Sequence, residues 1–157
     1  DHRFRCAMKT KHVFVPALDV GELLPFAVKE TKDLQESFAE QDRAKMELVK
    51  FIDKLEKALK QKIFYMGFDV IGEKSYERFI FDKGGFLEVM VESPVALNAH
   101  FVHDDQAKKF AKALKDTLIA TLPKTPVTRL FLDSIEVQDQ EDTSMTVQKW
   151  NKMKDLR

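Results

Sequence analysis

His100 and His103 stand three residues apart, with Asp104 and Asp105 close behind. On a helix that spacing sets two imidazoles on one face, where carboxylates nearby would complete the donor set of a zinc-type site. The pattern lacks the intervening glutamate and the third ligand that make helical zinc motifs specific. Its plainer alternative is a helix-capping loop with solvated histidines. Nucleophilic chemistry has less to draw on. Cys6 sits beside Arg3 and Arg5, which would lower its thiol pKa, but no base lies close in sequence. There is no G-x-S-x-G, P-loop or G-x-G-x-x-G motif, so neither a catalytic residue nor a cofactor is expected.

A second kind of chemistry is electrostatic. Lys50, Lys54 and Lys57 form an i, i+4, i+7 stripe, and Lys108, Lys112 and Lys115 repeat that spacing. Together they could neutralise a polyanion such as nucleic acid, with a salt slope of about −0.9 per phosphate contacted. The alternative is a pair of solvated helix faces, with Glu47 and Asp53 as local partners. Over the whole chain 26 basic and 26 acidic side chains cancel, so no global field recruits nucleic acid or a membrane surface.

The elements that must position these residues follow from periodicity. Between Pro25 and Gly67 lie 41 residues without glycine or proline, and the stretch from about Thr31 to Lys62 reads as one helix. Such a helix spans roughly 45–50 Å, whereas a domain of this length is on the order of 40 Å across. Leu48, Ile52, Leu55 and Leu59 make a core-facing stripe, widened by Val49, Phe51 and Ala58. Leu34 and Phe38 continue it, but Gln41 and Lys45 interrupt the apolar arc. The leading half of the helix is therefore expected either to break or to lie against something outside its own domain.

Three alternating segments follow, read as an antiparallel meander. Phe64, Met66, Phe68 and Val70 are expected on one face with Phe79, Phe81, Leu87, Val89 and Val91. Tyr65, Asp69, Tyr76, Arg78, Ile80, Glu88 and Met90 would form the other, mixed face. Gly72–Ser75 and Asp82–Gly85 have turn chemistry. A second helix is predicted from about Asp105 to Thr121, capped by Asp104 or Asp105. Val127–Val137 reads as one strand or two. An acidic stretch, Glu136 to Asp142, leads into a short helix from about Thr143 that carries Val147, Trp150 and Met153.

At 157 residues the chain fits a single α+β domain. The expected fold is an antiparallel sheet of four to six strands, packed on one face by the long helix and the second helix. Residues 1–11 are expected as a basic arm, residues 12–20 as a short strand run cut by Pro16, and residues 143–157 as a peripheral helix. Thirteen phenylalanines against one tryptophan and two tyrosines predict a dry aromatic core. The single cysteine fits a reducing compartment, the cytoplasm or an organelle matrix if a targeting peptide has been removed. No stretch reaches the ~20 apolar residues of a membrane helix.

From the long helix onward, the predicted order of elements resembles that of type III secretion chaperones and their structural relatives. That resemblance implies a small, dimeric, non-catalytic protein that binds a partner polypeptide. The expected function is a protein-interaction module, a chaperone, adaptor or assembly subunit, working alone, as a homodimer or in a complex. Leu34, Phe38, Gln41, Lys45, Tyr65, Tyr76, Ile80 and Trp150 are its expected partner-binding residues. A polyanion binder on the lysine stripes and a metal-dependent enzyme at His100 and His103 are the alternatives.

Overall fold

Asp33 opens the long helix: its carboxylate accepts the Glu36 N–H at 2.8 Å, and Glu36 in turn accepts the Lys32 N–H at 3.2 Å. The first bond satisfies a backbone donor that the helix start leaves open, and the second ties down the residue before the cap. In the computed structural model, which describes residues 8–15, 23–92 and 95–142, helix α1 runs unbroken over Leu34–Leu59. Its 26 residues span about 39 Å. It ends at Lys60, which takes a left-handed φ of 56° and returns its N–H to the Glu56 carbonyl. Three residues later the Ile63 N–H donates to the Glu56 carboxylate at 2.8 Å. That bond fixes the reversal from helix into sheet.

The remaining described elements are strands β1 (Met8–Phe14), β2 (Ile63–Ile71), β3 (Lys74–Phe81), β4 (Phe86–Met90), β5 (Ala96–Phe101) and β6 (Glu136–Asp142), and helices α2 (Asp104–Thr121) and α3 (Pro126–Asp133). The strands form one six-stranded sheet in the order β2-β3-β4-β5-β1-β6, and every pairing is antiparallel. The fold is α+β, as expected. β1 lies inside the sheet, between β5 and β6.

One face of the sheet meets the helices. Leu48, Phe51, Ile52 and Leu55 of α1 and Ala107, Phe110, Leu114 and Leu118 of α2 share one buried cluster with Val13, Phe79, Phe81, Leu87, Val89, Leu97 and Phe101. Each fully buried large side chain contributes about 1.5–3 kcal/mol, more than the ~1 kcal/mol of a helix cap, so this layer dominates stability. At its centre Phe81, Phe101 and Phe110 hold ring centroids 5.2–5.5 Å apart. Gly85 makes room for them, because a Cβ there would stand 2.4 Å from Phe101 Cδ1.

The structure corrects several expectations. Residues 8–11 of the predicted arm belong to β1, where all four pair with β6 and Lys11 also with β5. β5 was not foreseen at all. Val127–Val137 divides into α3 and the start of β6, because Thr125 caps a helix at Pro126: its hydroxyl accepts the Thr128 N–H at 3.2 Å. The acidic stretch is itself the outer strand β6. From α1 onward the order is α-β-β-β-β-α-α-β, which departs from the order that carried the chaperone resemblance. Cys6, Val147, Trp150, Met153 and the predicted last helix lie outside the described residues.

The most consequential correction is in β2. Tyr65 pairs with Phe79 and Phe68 with Glu77, so Met66 and Gly67 together oppose Arg78. Gly67 takes a φ of 89° in this bulge. The extra residue inverts the alternation halfway along the strand. Before that inversion Phe64, paired with Ile80, and Met66 pack with Ile80, Phe86 and Val102 on the face away from the helices. By register, Tyr65, Phe68 and Val70 fall on the helix side.

Candidate functional site

β2 is an edge strand, and α1 lies alongside its helix-facing side. Between them runs a groove of about 450 Å³. Lys45, Val49 and Glu56 of α1 form one wall, and Ile63, Tyr65, Glu77 and Phe79 form the other. Two of the predicted partner-binding residues, Lys45 and Tyr65, thus meet in one place. The Tyr65 ring stacks at a tilt on Phe79, with centroids 5.4 Å apart, and its hydroxyl donates to the Glu77 carboxylate. Burial and that hydrogen bond push the Tyr65 pKa up to about 12. The phenol is therefore a neutral donor at physiological pH and a poor nucleophile.

Beyond the groove the apolar surface continues into solvent. Tyr65, Phe68 and Val70 are 50%, 63% and 57% exposed along β2, and Met46 and Val49 are 63% and 65% exposed on α1. Leu34 and Phe38, also largely exposed, lie two to three turns further along α1. Single exposed apolar residues are ordinary, but several along a strand with no described neighbour on its outer side mark a candidate contact surface. Phe68 and Val70 were expected inside the core, and Val49 on its margin. Phe68 and Val70 do lie on the helix side, and Gly67 within the alternating run was the signal that a bulge would part them from Phe64 and Met66.

The leading half of α1 stays helical because it is clamped from the side. Arg43 donates to the Pro25 and Ala27 carbonyls at 2.8 and 2.9 Å and to Glu40 at 2.5 and 2.9 Å. Glu40 also accepts the Lys29 N–H at 2.6 Å. The Arg43 guanidinium hydrogen-bonded to it holds the Glu40 carboxyl down at about 2. Phe26, in the same connection, stacks against Phe51 at 4.9 Å. Gln41 is half-buried on this stretch of helix.

The opposite sheet face gathers the remaining predicted residues differently. Ile80 is fully buried, so it offers no contact surface, while Tyr76 is half-buried beside the Asp69–Arg78 ion pair at 3.5 Å. His12, His100 and Phe86 stack across three strands, with centroids 4.6 and 4.8 Å apart. Burial lowers the His12 pKa, partly offset by a hydrogen bond to Asn98, and burial raises that of Glu88. His100 lies in β5 and His103 is the exposed N-cap position of α2, so the two do not share a helix face. Among the described residues no three His, Cys, Asp or Glu side chains gather as a metal site.

The lysine stripes are largely neutralised in place. Lys50, Lys57, Lys108 and Lys112 pair with Glu47, Asp53, Asp104 and Asp116 one helical turn away. No described helix is long and apolar enough to cross a membrane. Compared with protein-family models, curated proteins and solved structures, the chain matches none.

Proposed function

We propose that this chain is a non-enzymatic interaction module, of the chaperone, adaptor or assembly-subunit kind, that takes an extended segment of a partner polypeptide onto the outer edge of β2, an edge of the described sheet. One observation carries the reading. The only long apolar exposure on a strand edge among the described residues is Tyr65, Phe68 and Val70, which share the helix-facing side of β2, and Tyr65 lines the groove walled by α1. An added strand gains main-chain hydrogen bonds along β2 and places alternate side chains in that groove. The Tyr65 hydroxyl and Glu77 supply polar contacts at its floor, and Leu34 and Phe38 extend the apolar wall.

A photo-crosslinking side chain placed at Phe68, and separately at Gln138 on the opposite edge, tests this in the native source. Crosslinks to a polypeptide at position 68 and none at 138 are the expected result, with β2 amides slowed in hydrogen exchange on binding. Mass spectrometry of the crosslinked product separates a second copy of this chain from a different partner. Absence of any polypeptide crosslink at position 68 removes the proposal.

A further inference from the structure

A second surface lies away from the β2 edge. α2 packs over β5, β1 and β6, at the other end of the sheet, and between its last turns and α3 runs an open trough of about 800 Å³. Leu122 and Thr128 are buried beneath it, while Ile119 and Leu130 rise from its two walls, 51% and 61% exposed. Lys115, Lys124 and Arg129 stand around it, against a single carboxylate, Asp133. No ion pair engages these three cations among the described residues, unlike Lys50, Lys57, Lys108 and Lys112, each neutralised by a neighbour on its own helix. Uncompensated positive charge is therefore concentrated around an apolar channel.

We infer that this trough is a docking site for the apolar stripe of an amphipathic helix flanked by carboxylates. Both walls are helices, so they offer no strand edge for an incoming chain to extend. Recognition must come from side chains, which is the helix-in-groove mode, with anchors at i, i+3, i+4 and i+7. A small ligand is a poorer match, because such sites enclose most of their guest whereas Ile119 and Leu130 remain half in solvent. The three cations select acidic flanks and disfavour basic ones, giving specificity through both attraction and repulsion.

The test uses two fluorescent peptides with the same leucine stripe at i, i+3, i+4 and i+7, one flanked by glutamates and one by lysines, titrated into the full chain. The glutamate peptide should bind at least about tenfold tighter and weaken with added salt. Lys124→Glu with Arg129→Glu should erase or reverse that preference, and Leu130→Asp should abolish binding. Both changes lie on exposed positions, and circular dichroism checks that the fold survives. Phe68→Lys with Val70→Lys should leave the titration unchanged, which separates this site from the β2 edge. Equal binding of both peptides, binding of neither, or binding indifferent to Leu130→Asp overturns the inference. So does adsorption to phosphatidylglycerol vesicles without binding of the glutamate peptide.

Discussion

The two edges of the sheet are built to opposite specifications. β6 exposes Glu136, Gln138 and Asp139, and Asp139 forms an ion pair with Lys11 of the adjoining strand. Charge along an edge is a standard deterrent to pairing with another chain. β2 exposes Tyr65, Phe68 and Val70 instead, and its one protective device, the bulge at Gly67, brings Phe68 and Val70 onto the same helix-facing side as Tyr65 rather than away from contact. The contrast teaches that edge protection in this molecule is local. One end of the sheet is closed to pairing by charge, and the other keeps an apolar strand beside a ready wall.

The sharpest way to break the comparison is to give β2 the character of β6. Phe68→Lys with Val70→Lys should weaken capture of a partner polypeptide by about 100-fold, as expected when hot-spot side chains are lost. Stability should move by no more than about 0.5 kcal/mol, because both residues are exposed. Glu136→Lys with Gln138→Lys should leave capture unaffected. Loss of capture in the second variant and not in the first would invert the assignment of the edges.

A second change attacks the wall beside β2 instead of the strand. Arg43→Ala removes the donors to Pro25, Ala27 and Glu40, and should cost about 2 kcal/mol in urea unfolding with an unchanged m-value. Arg43→Lys should recover little, since an ammonium lacks the planar fork that serves three acceptors at once. Full rescue by lysine would show that charge alone holds the helix.

Gly67→Ala is expected to cost about 1–2 kcal/mol, from the positive φ alone, because no atom lies within 4 Å of the added Cβ. A variant of unchanged stability would show that the bulge relaxes easily. The smallest effect is on pH dependence. The Glu40 carboxyl is lowered from 4.5 to about 2, so its contribution is complete above about 4.5 and is lost as pH falls toward 2. Glu40→Gln should flatten that acid limb of the stability curve, read as the urea midpoint against pH, and leave the neutral region parallel to wild type.

Much of this was legible in the residues. The glycine- and proline-free stretch, the Leu48–Leu55 stripe and the phenylalanine excess pointed to α1 and to an aromatic core, because period and composition are local properties. The second helix was likewise visible through Ala107, Phe110, Leu114 and Leu118. Val127–Val137 was read as one strand or two, although only its last two residues are strand, because the helix start written in Thr125 and Pro126 was passed over. Of the candidate site, Leu34, Phe38, Lys45 and Tyr65 were named in advance. Phe68 and Val70 were not: they lie on the helix-facing side as expected, but on an edge strand where they stay exposed, and strand order is not written in local periodicity.

The chain by itself determined which segments have helical or strand period and which residues are apolar enough to form a core. Only the tertiary structure decided that β1 enters between β5 and β6, that β2 is left at the edge, and that Phe68 and Val70, past the bulge, share the helix side with Tyr65. The physical reason is that pairing register and strand order depend on contacts distant in sequence, and a single bulge reverses facing without altering local hydrophobicity.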